Sequence, residues 1–324
     1  MRVLVVGGAG YIGSHVVMNL LDDGHQVTVF DNLSTGLEVN LFEEAHFVKG
    51  DLLVQGELDA LLAAADFDAV VHLAALKAAG DSMFEPEAYA HHNICGSIEL
   101  LNSVVKAGIR KFVFSSTAAV FGDPTYQPID EAHPLEPTNF YGFTKLQFER
   151  QLAWFAKLRG LSFVSLRYFN AAGYDPNGRV QGLEVNPKNL IPIVMEVATG
   201  ARQRIDIYGS DYETRDGTCI RDYIHVNDLA AAHGRALDYL EAGGENLTVN
   251  LGSETGLTVL EVLQCARRVT GKELPHRMVG RREGDPPTLV ASAKHARKVL
   301  DWEPKLSDLE SLIRSTWDTY RKQS

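Results

Sequence analysis

The sequence predicts a doubly wound α/β fold with a parallel sheet, joined to a smaller C-terminal α/β unit. Three observations predict it. Short, wholly apolar runs alternate with helical patterns through the first half of the chain, a glycine-rich turn stands between the first run and the first helix, and the pattern breaks after Phe169. Apolar runs without polar alternation are strands buried on both faces, and crossover helices between them make the sheet parallel.

Val3–Val6 reads as the first strand and Tyr11–Asp23 as a helix stopped by Gly24. Strands follow at Gln26–Phe30 and His46–Lys49, a helix near Glu57–Ala65, and a strand at Ala69–Leu73. A long helix over about Pro86–Ala107 ends at Gly108; then come a strand at Lys111–Ser115, a helix at about Tyr141–Arg159 and a strand at Ser162–Leu166. Asn170–Asn189, rich in Gly, Pro and Asn, reads as loop. Beyond it are a helix near Ile191–Thr199, a strand near Ile205–Tyr208, a helix after Val226, a strand at Val249–Leu251 and a helix at Thr258–Val269. The expected division is 1–169 with about 222–254 in the sheet domain, and about 170–221 with 255–324 in the smaller one.

Composition bounds the function. The 324 residues are 45% hydrophobic and 23% charged, ordinary for a globular protein. With 42 acidic against 31 basic residues, the net charge of −11 argues against general nucleic-acid binding. It leaves room for a small phosphate-bearing ligand held by backbone N–H groups and a few arginines. Cys95, Cys219 and Cys265 lie far apart without metal-ligand or disulfide spacing, which points to a reducing compartment and no metal. The apolar start after Met1-Arg2 is too short for a signal-peptide core, and no run of about 18 apolar residues suggests a membrane span. A cytoplasmic protein is expected.

Gly7-Gly8-Ala9-Gly10-Tyr11-Ile12-Gly13 sits where a dinucleotide-binding (Rossmann) turn requires glycine. Gly7, Gly10 and Gly13 allow the tight turn, the close approach of a pyrophosphate and the packing of helix on strand. Asp31 ends the second strand, 18 residues after Gly13, where a carboxylate accepts from the adenosine ribose hydroxyls. No arginine stands beside it to receive a 2′-phosphate, so NAD is favoured over NADP. Asp51, in Gly50-Asp51-Leu52, reads either as an adenine contact or as a helix cap.

Tyr141 and Lys145 lie four residues apart on one helical face. A phenol titrating near 10 serves as a base at neutral pH only if a cation stabilises its anion; a lowering of about 3 units requires about 4 kcal/mol. Lys145 and an oxidised nicotinamide are the expected sources. Ser115, Ser116 and Thr117 close the fifth strand, at the sheet edge where ligands bind.

These segments, with His72-Leu73-Ala74-Ala75 and Arg167-Tyr168-Phe169-Asn170, stand in the order of the extended short-chain dehydrogenase/reductase family, which the chain resembles over essentially its whole length. Ala75–Gly80, Asp216–Val226 and Arg281-Arg282-Glu283-Gly284-Asp285 resemble its nucleotide-sugar 4-epimerases more specifically. The resemblance implies that Tyr141 is the acid/base, that Lys145 tunes it and holds the nicotinamide ribose, and that Thr117 bonds the sugar hydroxyl. Tyr11, Ile12, Asp31, Asn32, Asp51, Leu52, Lys77 and Asn93 match NAD-binding positions. Lys77, Asn170, Asn189, Leu190, Tyr208, Arg221, Arg282 and Asp285 match positions that hold a UDP-sugar, the two arginines offering forked bonds to a diphosphate.

The implied reaction inverts carbon 4 of a UDP-hexose, interconverting UDP-glucose and UDP-galactose, through a transient 4-keto sugar. Other UDP-sugars, an N-acetylhexosamine or a uronate, are the alternative substrates. Dehydratases of the family place an Asp-Glu pair after the Thr, where this chain has Ala118-Ala119. A non-catalytic NAD-sensing protein would not need the intact Tyr141, Lys145 and Thr117. Phe140, Phe121 and Ala75 depart from the commoner family residues Pro, Tyr and Gly without removing a reacting group. Leu289 matches a position where bulk limits N-acetylated sugars and is of intermediate size. The family's usual homodimer joins two helices of each subunit; the apolar face Leu146, Phe148, Leu152 and Phe155 fits such a bundle or the core.

Overall fold

The computed structural model describes all residues except Gln55, Glu283, Gly284 and Ser324. The first half runs β1 (Arg2–Val6), α1 (Tyr11–Asp22), β2 (Gln26–Asp31), β3 (His46–Lys49), α2 (Glu57–Ala64), β4 (Ala69–His72), α3 (Pro86–Tyr89), α4 (Gly96–Lys106), β5 (Lys111–Thr117), α5 (Phe140–Arg159) and β6 (Ser162–Tyr168). The second half runs β7 (Asn170–Ala172), α6 (Leu190–Thr199), β8 (Ile205–Tyr208), β9 (Ile220–His225), α7 (Val226–Glu241), β10 (Leu247–Leu251), β11 (Gly256–Thr258), α8 (Val259–Thr270), β12 (His276–Val279), β13 (Thr288–Leu289), α9 (Lys294–Leu300) and α10 (Leu309–Tyr320).

Seven strands form one sheet in the order β10-β6-β5-β4-β1-β2-β3, every neighbouring pair parallel. The reversal of direction beside β1 makes the crevice at the strand carboxyl ends the natural ligand site. Both faces of the sheet are dry. Val3, Val5, Val71, Val113 and Val249 pack under α1 and α7, while Leu4, Val70, Phe112 and Phe114 meet Leu100, Leu101, Phe148 and Leu152 of α4 and α5. The expected strands and helices of this half are present within a few residues of their ends.

The expected helix over about Pro86–Ala107 is present, with residues Ala90–Cys95 between α3 and α4 wound as a π-helical stretch. One expectation is corrected. The segment 170–189 is not all loop, because β7 pairs in parallel with β9. Three small residues in a Gly- and Asn-rich run carry no strand signal of their own; the pairing comes from β9. The second sheet joins β11, β9 and β13, with β7 on β9, and β8 pairs with β12. Behind them Ile191, Val194, Met195, Val262, Leu263, Leu312 and Ile313 form a separate core of α6, α8 and α10.

Candidate functional site

β1 delivers the glycine turn to the crevice. Gly7 has φ +88°, and a Cβ there would lie 2.5 Å from the Ala74 backbone nitrogen; a Cβ on Gly13 would lie 2.1 Å from the Gly7 carbonyl oxygen. Those two glycines are demanded by packing. A Cβ on Gly10 would meet only that same oxygen at 3.5 Å, so packing does not require glycine there. Its bareness keeps clear the approach to the N-terminus of α1, which has neither a side-chain cap nor an acidic residue in its first turn. Free N–H groups and a positive dipole end fit a pyrophosphate, so the residues present suit NAD. Tyr11 turns away and donates to the Gly173 carbonyl at 2.5 Å, while Ile12 packs against the core.

Asp31 is buried at the end of β2, its oxygens accepting the N–H groups of Ala9 (3.0 Å) and Leu33 (2.8 Å). Each oxygen keeps a second lone pair for a hydroxyl. Asp51 accepts from Leu53 N–H (2.9 Å) and Asn32 Nδ2 (2.9 Å). Burial pushes its carboxyl up, but these bonds and the nearby His92 and His91 outweigh that and hold it below the ordinary range. It caps no helix, since α2 starts after Gly56; Leu52 packs beside it. The π-helical stretch aims Asn93 inward. Its amide bonds both backbone groups of Leu76, each at 2.9 Å, and donates to Thr144 Oγ1 at 3.1 Å, tying the segment before Lys77 to α5. Lys77 reaches across to Glu184 at 2.6 Å.

The groups expected to react meet where β5 ends and α5 begins. Asn139 caps α5 by accepting the Gly142 N–H at 2.9 Å, and the Tyr141 N–H donates to Ser82 Oγ at 3.0 Å. Tyr141 therefore opens the first turn facing Thr117, whose own oxygen accepts the Ala119 N–H at 3.1 Å. Burial pushes the Tyr141 phenol up to about 12, with a hydrogen bond from Thr117 pulling the other way. Lys145 donates to the Ser115 carbonyl at 2.9 Å and lies 6.0 Å from the Tyr141 ring centre and 4.8 Å from that of Phe114. Burial pushes Lys145 down to about 7, with Glu149 opposing. The expected lowering of the phenol by Lys145 is thus overridden in the protein alone: desolvation dominates both groups.

The second sheet faces this corner. Arg221 donates to the Ile220 carbonyl (2.8 Å) and to Asp285 Oδ1 (2.7 Å). The Arg282 guanidinium lies 4.3 Å from the Tyr208 ring centre. Glu283 and Gly284 of the same motif lie outside the described residues. Asn170 donates to the Asp222 carbonyl at 2.8 Å. Asn189 precedes α6 without capping it, so the start of α6, like that of α1, carries no side-chain cap. Tyr11, Glu184 and Asn189 line one small hollow joining the two helix starts. Leu289 pairs with Arg221 across β13 and β9 and packs on the cluster of Ala118, Phe121 and Phe169, behind the Thr117 turn. A hollow of about 640 Å³ opens at the opposite edge of the sheet among Arg2, Gly24, His46 and Arg179, away from these groups.

Sequence reasoning passed over Glu149. It accepts from Ser116 Oγ (2.5 Å), Arg167 Nε (2.9 Å) and Arg167 NH2 (2.6 Å), all buried. The signal was the repeated four-residue step Tyr141, Lys145, Glu149.

A glycine turn, hydroxyls at the end of the fifth strand and a buried Tyr–Lys pair on a seven-stranded parallel sheet define a nucleotide-cofactor enzyme class. The chain belongs to the NAD dependent epimerase/dehydratase family, whose model matches residues 3–252. Among its relatives is the UDP-glucose 4-epimerase of Halalkalibacterium halodurans, 45% identical over 323 residues, spanning 99% of this chain and 96% of that one. The UDP-glucose 4-epimerase of Brucella ovis, solved in complex with NAD, superposes with a TM-score of 0.96 at 42% identity over 98% of each chain. That of Bifidobacterium longum, solved with NAD+ and UDP, gives 0.93 at 34% identity over 100% of this chain and 99% of that one.

Proposed function

We propose that this protein inverts carbon 4 of a UDP-hexose, interconverting UDP-glucose and UDP-galactose, with NAD retained through the cycle. One observation carries the reading: a phenol and a threonine hydroxyl share a hydrogen bond at the carboxyl edge of β5, an ammonium lies one helical turn below, and two alanines follow where elimination would need acids. When bound, NAD supplies the two-electron chemistry, accepting hydride from carbon 4 and returning it.

Tyr141 takes the proton of the 4-hydroxyl and later gives it back. Thr117, its oxygen already accepting from Ala119, is left to donate to the oxygen that carries the developing charge. Lys145 supports the phenolate and the ribose. Gly7, Gly10 and Gly13 admit the pyrophosphate, Asp31 the adenosine ribose, and Asn32, Asp51 and Leu52 the adenine side. Arg221, Arg282, Tyr208, Asn170, Asn189, Leu190 and Asp285 anchor the UDP while the keto sugar turns its other face to the same groups. Lys77 and Asn93 shape the side between the two ligands. Residues 1–169 with about 222–254 would hold the cofactor, and the rest the sugar nucleotide.

Deuterium placed on carbon 4 of UDP-galactose tests this. Product UDP-glucose retains the label; exchange with solvent hydrogen would remove the cycle.

The protein is further read as a cytoplasmic homodimer. Its three cysteines are free thiols, as a reducing compartment requires. Of the two roles open to the apolar face of α5, the core takes Leu146, Phe148 and Leu152, which are buried within the chain. What α5 leaves for a partner is Phe143 (39% exposed), Trp154 (58%) and Leu158 (60%). Sedimentation at micromolar protein should give twice the chain mass; a monomer would refute the dimer.

A further inference from the structure

Glu149 carries no step of that reaction, yet its carboxylate accepts three hydrogen bonds beside the expected reacting pair. It lies one turn beyond Lys145 on α5, only 7% exposed, and closes a two-pronged pair with Arg167 of β6. It also takes a hydrogen bond from Ser116, the residue before Thr117. A buried ion pair seldom repays its desolvation in stability alone. This one clamps three elements together, α5, β5 and β6, at the level of the reacting groups.

We propose that Glu149 is a positioning residue for the Tyr–Lys pair: its charge keeps Lys145 an ammonium ion inside the dry site, and its bonds to Ser116 and Arg167 hold α5 in register with the strand end that carries Thr117. The inference rests on Tyr141 and Lys145 being the reacting pair.

The surroundings of Lys145 leave few competitors for this role. On its own helix stand Tyr141 and Glu149. From β5 come the Ser115 carbonyl, the Phe114 ring and Ser116. From β4 comes His72, kept neutral by burial first and by Lys145 second. From β6 come Arg167 and Tyr168, and the Tyr168 phenol is bonded to Ser115 Oγ. Tyr89 of α3 bears on Tyr141. Among these groups Glu149 is the acid. Burial drives Lys145 toward the neutral amine and the Glu149 charge opposes it. A Lys145 without its proton would no longer stabilise a phenolate.

The test titrates Lys145 directly in NAD-loaded enzyme carrying 13C at lysine Cε, its signal assigned by loss in Lys145→Arg. Glu149→Gln should lower the Lys145 midpoint by about one pH unit, and the resulting loss of kcat should be about tenfold two units above the wild-type midpoint against about twofold one unit below it. Arg167→Gln, which spares the carboxylate and removes the cation that neutralises it, should raise the midpoint. A clamp without electrostatic purpose would weaken both variants alike and move neither midpoint. Unmoved midpoints, or two moving in the same direction, overturn the proposal. Should Glu149→Gln fail to fold, Arg167→Gln alone decides, an unchanged or lower midpoint refuting it. A wild-type enzyme that titrates as described but does not turn over UDP-galactose would refute the functional reading instead.

Discussion

Tyr141 holds its proton more tightly in the folded protein than a phenol does in water, because burial withdraws the solvent that would stabilise its anion. A phenol in that condition serves as a base only where a cation stabilises its anion, and in the proposed reaction that cation is the oxidised nicotinamide that stays bound through the cycle. Tyr141→Phe removes the proton acceptor while keeping the ring's volume. It should lower kcat by about 10²–10⁴-fold with the melting temperature little changed and NAD still bound, measured by turnover of UDP-galactose and by absorbance of cofactor released on denaturation. Tyr141, Lys145 and Thr117 were legible in the sequence because local geometry assembles them: a four-residue step on one helix, and the end of one strand. Glu149 was not, since its partners Ser116 and Arg167 lie 33 and 18 residues away and meet it only in three dimensions. Arg221 and Asp285 likewise face each other across 64 residues, a pairing the resemblance implied only as shared ligand contacts.

The elements that place these residues are specified unevenly. α5 announces itself through its cap: Asn139 is extended (φ −134°, ψ 157°) and accepts the Gly142 N–H, and Gly160 ends the helix at φ +67°. Removing the cap in Asn139→Ala should cost about 1 kcal/mol of stability. Because Tyr141 sits in the turn that would fray, kcat should fall more than the stability loss alone implies; parallel urea melts and turnover assays would show it. β1, β4 and most of β5 were legible because strands buried on both faces are written as apolar runs; β2, β6 and β10 keep most of that pattern around a few polar residues, and the partly exposed β3 shows only Phe47 and Val48. β9 was not legible. Its sequence Ile-Arg-Asp-Tyr-Ile-His contains Asp222, which reads as surface but is wholly buried, its carboxylate accepting from Ser253, Glu254 and Ala291. β12 is mostly exposed and β13 has two residues, so neither has a periodicity to detect. α10 does carry a signal that was passed over: Asp308 caps it through the Ser311 N–H, and Leu309, Leu312, Ile313 and Thr316 share one face.

At the scale of the whole molecule, buried neutral histidines sit in the core, two of them bridging the segments expected to form separate units. His15 of α1 accepts the Asp175 N–H at 3.1 Å, and His225, at the end of β9, meets Ser315 of α10 at 3.1 Å. His233 of α7 lies buried behind Tyr168. Burial pushes all three down to about 4 from an ordinary value of 6.5. As pH falls below about 6.5 the unfolded chain takes up four protons, on these three imidazoles and on His72, which burial and then Lys145 hold well below 6.5, and the folded chain declines them until near pH 4 or lower, so this stability is present above 6.5 and lost on the way down. Asp222 works the other way. Burial, only partly offset by its hydrogen bonds from Ser253, Ala291 and Glu254, raises it to about 6 from 3.8, so the folded chain takes that proton first and gains stability as pH falls from 6 to 3.8. Four protons against one leave the unfolded state ahead by about three near pH 5. The free energy of unfolding should therefore fall by about 4 kcal/mol per pH unit there. Urea unfolding at pH 7, 6 and 5, with proton uptake followed in unbuffered solution, measures both quantities. About three protons absorbed per molecule unfolded at pH 5 would assign the acid sensitivity to these buried histidines, and a stability unchanged from pH 7 to 5 would show that the buried imidazoles are not held neutral.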